Sequence, residues 1–228
     1  MFYDPTYFLV IIAMILTCIV QAYMTSTFDK YQKVASKSGI TASDAAARIL
    51  SGSGINNVRI GRVAGNLTDH YAPTKKELNL SDTTYNSRSI ASIGVAAHEC
   101  GHAIQDYQRM FLLNFQMSMV PVVNFASKLS IPIIFVGLLL GALQLTRIGI
   151  MLFAVALAYQ LLTLPIEFNA SSNAIKVLRN QGIMDESELY GVKKVLTAAA
   201  LTYVAAAAST VLQLLRFVLL AQSRNRSD

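Results

Sequence analysis

The chain carries two histidines and a glutamate at a spacing suited to binding and using a metal ion. His98 and Glu99 are adjacent and His102 follows three residues later, which gives the pattern H-E-x-x-H. On a helix, residues i and i+4 share a face, so both imidazoles can bind one zinc ion. Glu99 can accept a proton from a zinc-activated water as it attacks a carbonyl, and then pass it to the leaving amine. The pattern therefore predicts a zinc-dependent metalloendopeptidase with Glu99 as general base.

A catalytic zinc site needs a third protein ligand and one open position. Glu167 follows a long apolar run, and a carboxylate at a membrane boundary is costly unless it is paired or bound. We expect Glu167 to be the third ligand, and His70 is the alternative. Asp106 lies one turn beyond His102, where we expect it to orient that histidine from outside the ligand set or to be solvated.

Further polar residues are candidates for supporting roles. If His70 stays off the metal, it could stabilise the oxyanion of the reaction, as could Tyr71 or Tyr85. Ser171 follows Glu167 by four residues and could hold a ligand histidine in one tautomer, although a plain polar helix face is the more common explanation.

The elements that position these residues include long apolar segments. The chain has 228 residues, of which 54% are hydrophobic and 14% charged, against about 25% charged in soluble domains. Four runs are long enough to cross a bilayer, namely residues 7–25, 129–145, 148–166 and 195–222, the last interrupted by Arg216. We expect a retained anchor in the first run and a tight hairpin, turning at Thr146 and Arg147, in the second and third.

Residues 111–127 are apolar but contain several polar side chains and a proline. We expect them to form a helix that lies in the membrane interface or under the catalytic domain. The reason is parity, because an additional crossing there would place the histidine motif and Glu167 on opposite faces of the membrane.

The basic residues indicate the orientation of these spans. Eleven Lys and Arg residues lie between positions 26 and 128 and four between 168 and 194, against three on the opposite side. The positive-inside rule then places the catalytic domain on the cytoplasmic face. Because the basic residues are dispersed beside apolar runs, they favour a membrane protein and argue against a nucleic-acid partner.

The polar segment 26–110 has the pattern of a small α+β domain. Thr41 and Asp44 form a capping-box signal for a helix over 42–50, and alternation predicts strands at 58–63 and 77–80 with a loop at 64–73 between them. The helix that carries the motif is expected to begin at Ser81 or Ser87.

The predicted fold is a mainly α membrane protein with about four transmembrane helices. A small α+β zincin-like catalytic domain lies between the first and second spans. The expected organisation is an anchor (1–25), a catalytic domain with its interfacial helix (26–128), a transmembrane hairpin (129–166), a polar helical segment with the third zinc ligand (167–194), a last span (195–222) and a tail (223–228).

The chain also resembles the neutral zinc metallopeptidase family of bacterial membranes, the YugP-like group. The matching elements are Leu67-Thr-Asp-His70-Tyr71, Leu80-Ser81, Ser89-Ile-Ala-Ser-Ile-Gly-Val-Ala-Ala-His98-Glu99, Gly101-His102-Ala-Ile-Gln105 and the segment 165–174. The family is similar in layout to the HtpX-type proteases, in which a glutamate after a membrane hairpin completes the site. The resemblance implies His98, His102 and Glu167 as ligands of one Zn²⁺ and Glu99 as base.

Three functions compete at this point. The first is an endopeptidase that acts on protein or peptide substrates at the cytoplasmic face of the cell membrane, with the predicted strands offering an edge to an extended substrate. The second is a site-2-type protease that cuts within the bilayer. The third is a non-catalytic membrane scaffold with a vestigial metal site, against which the intact Glu99 argues.

Overall fold

A computed structural model of the chain describes residues 6–225, and these are mostly helical. The helices are α1 (Tyr7–Gln32), α2 (Ala42–Gly52), α3 (Asp82–Tyr85), α4 (Ile90–Tyr107), α5 (Phe111–Leu139), α6 (Leu143–Asn180) and α7 (Glu186–Asn225). The strands are β1 (Arg59–Val63), β2 (His70–Ala72) and β3 (Glu77–Ser81).

Four helices are long and apolar enough to cross a membrane. They are α1, α5, α6 and α7, the last over Glu186–Ser223. The expectation of about four apolar helices is thus confirmed, on the basis of length and composition.

The boundaries of two of these helices differ from the prediction. Residues 111–127 are the first part of α5 and not a separate interfacial helix, because a single lysine at 128 has good helix propensity and does not end the helix. The turn lies at 140–142 and not at Thr146 and Arg147, which are both inside α6. Gly141 adopts a φ of +70°, a conformation in which glycine is favoured at a helix end.

The described chain divides into two compact units. The helical unit contains residues 6–21, Phe115–Leu164 and 202–225. Within it α5 and α6 approach closely, since a Cβ on Gly149 would lie 2.8 Å from the backbone nitrogen of Ile134. The hydroxyls of Thr17 and Ser209 lie 3.1 Å apart and join α1 to α7.

The mixed unit contains Ala22–Asn114 and Pro165–Leu201. Its sheet has the order β1-β3-β2, with β1 parallel and β2 antiparallel to β3. The predicted strands correspond to β1 and β3. Strand β2 lies within the predicted loop 64–73. It was not predicted because three residues are too few to show an alternating pattern. The core includes the fully buried side chains Ile49, Leu78, Leu80, Ile93, Leu178 and Val192.

Capping residues define where the helices of the mixed unit begin. The hydroxyl of Thr41 accepts from the backbone N–H of Asp44 at 3.1 Å, and the Asp44 carboxylate accepts from the N–H of Thr41, so the capping box is confirmed. Helix α4 begins after Ser89, whose hydroxyl accepts from the N–H of Ser92 at 3.1 Å. The helix that carries the motif therefore does not begin at Ser81 or Ser87, as predicted. Ser81 precedes the separate short helix α3, and Ser89 caps α4.

Candidate metal centre

The structure brings His98, His102 and Glu167 together inside the mixed unit. The histidines lie one turn apart on α4 and the glutamate lies on α6. The Glu167 Oε2 atom is 3.2 Å from the Nε2 of His98 and 3.7 Å from the Nε2 of His102. One ligand atom from each residue lies within 4.8 Å of the others, so the three could hold a single metal ion.

A glycine on α4 allows the two helices to approach closely enough for this arrangement. A Cβ added at Gly101 would lie 2.4 Å from the carbonyl oxygen of Ala170 on α6. Ala170 is fully buried and follows Glu167 by three residues. The contact between Gly101 and Ala170 therefore fixes the distance across which the carboxylate reaches the histidines.

The Nδ1 atom of His102 is held by a buried glutamine. Gln105 is 1% exposed, and its side-chain N–H groups donate to the carbonyl of Ile166 at 2.8 Å and to the Oδ1 of Asn169 at 2.9 Å. A backbone carbonyl only accepts, so the amide nitrogen of Gln105 must face Ile166 and its oxygen must face His102. The Nδ1 of His102, 3.0 Å from that oxygen, then carries the proton, which leaves the Nε2 lone pair for a metal.

The Nδ1 atom of His98 has a different partner. The hydroxyl of Ser171 lies 3.1 Å from it and comes from the same helix as Glu167. A hydroxyl both donates and accepts, so this contact orients the ring without selecting a tautomer on its own. Both histidines thus turn their Nε2 atoms to the Glu167 carboxylate and their Nδ1 atoms to polar supports.

Electrostatics at this cluster favour a positive charge. Burial alone would lower the pKa of His102. The hydrogen bond to Glu167 and the charges of Glu99 and Glu167 together have the larger effect and raise the pKa to about 8. Where carboxylates hold a proton on an imidazole in this way, a divalent cation that displaces the proton gains the same attraction.

Glu99 is buried beside His98, with 8% of its surface exposed. Among residues 6–225 no group donates a hydrogen bond to its carboxylate. A buried carboxylate without a hydrogen-bond donor is costly, so the position is suited to one that exchanges protons with a water or a substrate.

The remaining candidates lie outside the cluster of ligand atoms. His70 is exposed on β2, and its ring nitrogens contact the carbonyl of Thr68 and the amide of Asn79. The Tyr85 side chain is half-buried and packs against the core.

Asp106 contacts β2 and the turn that follows it. Its carboxylate accepts from the Tyr71 hydroxyl and from the Lys76 ammonium, each at 2.5 Å. Burial and the nearby carboxylate raise the pKa of Tyr71. The orienting partner of His102 is therefore Gln105, which the sequence reasoning missed. Its position three residues after His102 on one helix face was the available signal.

The donor set fits a catalytic zinc ion. Two imidazole nitrogens and one carboxylate oxygen are the protein ligands of known catalytic zinc sites, and they leave one position open. The supported Nδ1 atoms add the outer hydrogen bonds that metal-binding histidines usually make.

Comparisons with known proteins identify the family of the chain. A family described as "Putative neutral zinc metallopeptidase" matches residues 6–222. The "Putative membrane protease YugP" of Bacillus subtilis (strain 168) is 47% identical over 214 residues, which cover 93% of this chain and 95% of that protein. No solved structure matches the chain. The family match over nearly the whole length, together with this relative, shows that the chain belongs to the neutral zinc metallopeptidase family.

Proposed function

We propose that this chain is a membrane-bound zinc endopeptidase, in which His98, His102 and Glu167 hold one zinc ion and Glu99 is the general base. The observation that carries the proposal is the convergence of the three ligand atoms within 4.8 Å, on two helices distant in sequence. The family and the name of the relative support zinc, proteolysis and a membrane location.

The residues divide the work of peptide hydrolysis. A zinc ion held here would supply Lewis acidity that polarises the scissile carbonyl and makes water more acidic. The Glu99 carboxylate accepts the proton of the attacking water and then donates it to the departing amine nitrogen. Gln105 and Ser171 keep the Nε2 atoms of His102 and His98 turned towards Glu167, where the three ligands would hold the ion.

A group that stabilises the oxyanion completes this proposal. Of the three candidates, Tyr71 has the best placement, because its hydroxyl is tied to α4 through Asp106, one turn after His102. His70 is exposed, and Tyr85, which packs against the core as Tyr71 does, makes no hydrogen bond to α4 within residues 6–223. We therefore assign the Tyr71 hydroxyl as the group that donates a hydrogen bond to the oxyanion, after its own hydrogen bond to Asp106 breaks.

The orientation in the membrane follows from connectivity. If α1, α5, α6 and α7 each cross once, residues 33–110 and the turn at 181–185 emerge on the same face. Most of the Lys and Arg residues outside the apolar runs lie on that side, so we assign it to the cytoplasm. Because residues 111–127 belong to α5, they add no further crossing. With four crossings, the histidine motif and Glu167 lie on the same side of the membrane.

A metal analysis combined with a cleavage assay tests the proposal. The native protein, Glu99→Gln and a control, Glu77→Gln, are purified in detergent and assayed for zinc and for cleavage of an unstructured protein. Glu77 lies on β3 and pairs with Arg59, outside the cluster. All three should contain one zinc ion per chain, and only Glu99→Gln should lose activity, by about 10²- to 10⁴-fold.

Zinc binding with cleavage that survives in Glu99→Gln would refute the assigned base. Zinc binding without cleavage by the native protein would support the scaffold alternative.

A further inference from the structure

A groove of about 440 Å³ lies in the mixed unit between α6 and α7. Its apolar lining includes Ile175 and Leu196, and its basic lining consists of Lys176, Arg179 and Lys193. Ser171 also lines it, and the hydroxyl of Ser171 lies 3.1 Å from the Nδ1 of His98. The groove therefore starts beside a residue of the metal cluster and is part of the same compact unit.

The positive charge of the groove is not balanced within the described residues. Arg179 pairs with Glu186 through two contacts of 2.5 and 3.0 Å. Lys176 and Lys193 are exposed, and neither makes an ion pair with the side chains described in residues 6–223. No carboxylate is among the described residues that line the groove. Two ammonium groups without a carboxylate partner among the described residues thus line a groove whose other side chains are apolar or hydroxyl-bearing, apart from Arg179.

We propose that this groove binds the part of the substrate that adjoins the scissile bond, and that it selects substrates with a carboxylate about four residues from that bond. The proposal rests on the peptidase function proposed above. Ser171 and Arg179 are eight residues apart on α6, which corresponds to about 12 Å at 1.5 Å per residue. An extended peptide covers that length with about four residues, so a peptide that contacts Ser171 reaches the basic end of the groove about four residues later.

A peptide is favoured over a lipid headgroup by the position of the groove. Ser171 belongs both to the groove lining and to the support of His98, so an occupant that contacts Ser171 is one side chain away from the metal cluster. Along α6 the lining begins with apolar and hydroxyl side chains and ends with Lys176 and Arg179, which suits a segment with apolar residues followed by an acid. The carboxylate could come from an Asp or Glu side chain or from a C-terminus, and the experiment separates these sources.

The test uses a peptide cleaved by the native protein in detergent, with Gln or Glu placed three to five residues from the cleavage site on either side. A third version ends there in a free carboxylate and a fourth in an amide. We expect about threefold to tenfold higher kcat/KM for the acidic peptide at low salt, mainly through KM, with the advantage declining as salt rises. In the combined variant Lys176→Gln and Lys193→Gln the ratio of acidic to neutral kcat/KM should approach one.

Lys194→Gln is the matched control, because Lys194 is also exposed on α7 but stacks on Tyr190 and does not line the groove. It should preserve the preference. The proposal is overturned if the combined variant keeps the preference, if Lys194→Gln abolishes it equally, or if neither charge position affects cleavage. If the two lysines affect kcat/KM only when the micelles contain phosphatidylglycerol in place of phosphatidylcholine, the groove binds lipid and the proposal is overturned.

Binding separates this proposal from the peptidase function. The same labelled peptides are titrated by fluorescence anisotropy into zinc-loaded Glu99→Gln protein, with and without the two lysine substitutions. A charge-dependent affinity that requires both lysines supports the groove even if no variant cleaves peptide. Equal affinity for acidic and neutral peptides refutes the groove even if the native protein is an active peptidase.

Discussion

Replacing Gly101 by alanine tests whether the contact between α4 and α6 sets the metal geometry. The added Cβ would lie 2.4 Å from the carbonyl oxygen of Ala170 and 3.0 Å from its carbonyl carbon. Relief of these contacts requires the helix backbones to separate by roughly 1 Å, since a normal carbon–oxygen contact is about 3.4 Å. Glu167 lies one turn before Ala170, so its carboxylate would move with that backbone.

The expected effects on folding and on metal binding differ in size. Alanine gains about 0.5 to 1 kcal/mol over glycine within a helix, whereas overpacking a buried contact costs about 1 to 3 kcal/mol. The free energy of unfolding should therefore fall by at most about 2.5 kcal/mol. Zinc–ligand distances tolerate only about 0.2 Å, so zinc affinity should fall by at least tenfold.

The assay is a competition between the protein and a coloured chelator for zinc, alongside thermal unfolding in the same detergent. Gly94→Ala is the matched control on the same helix, because its Cβ would meet the Val192 side chain at 3.0 Å and a side chain can move. The reasoning is refuted if Gly101→Ala binds zinc as tightly as the native protein. It is also refuted if Gly94→Ala loses zinc equally.

Three further outcomes follow from the same contacts. Replacing Gln105 by leucine removes the buried acceptor of the His102 Nδ1–H, which should cost about 1 to 3 kcal/mol of stability and lower zinc affinity by about 10- to 100-fold, as measured by unfolding and chelator competition. Because the metal-free pKa of His102 is about 8, its proton competes with zinc below that pH. Apparent affinity should therefore fall about fivefold from pH 8 to pH 7 and about tenfold per pH unit below pH 7, and should level off above about pH 9; a pH-independent affinity would contradict this. Replacing Thr41 by alanine removes the α2 cap and should cost about 1 kcal/mol in thermal unfolding without changing zinc affinity.

Local rules account for the parts of the site that the sequence predicted. The i, i+4 spacing of His98 and His102 places them on one face of any helix, whatever surrounds it. Glu167 stood out because a carboxylate at the end of an apolar run is costly without a partner. The capping box at Thr41 depends only on residues within one turn, which is why it was predictable.

Features set by contacts distant in sequence were not predictable. The role of Gln105 depends on the Ile166 carbonyl, 61 residues later, and Asp106 contacts Tyr71 and Lys76 because β2 and the turn after it pack near α4. The hairpin turn falls at residues 140–142, although Thr146 and Arg147 are the more polar pair. There the left-handed conformation of Gly141 decided the turn, and hydropathy gives no signal for it.

The central claim is that two histidines and one distant carboxylate hold a single metal ion. The most direct test is the zinc stoichiometry and affinity of Glu167→Gln beside His70→Gln, both compared with the native protein. We predict one tightly bound zinc ion in the native protein and in His70→Gln, and a loss of at least tenfold in affinity in Glu167→Gln. Full zinc affinity in Glu167→Gln, or its loss in His70→Gln, would contradict the ligand set.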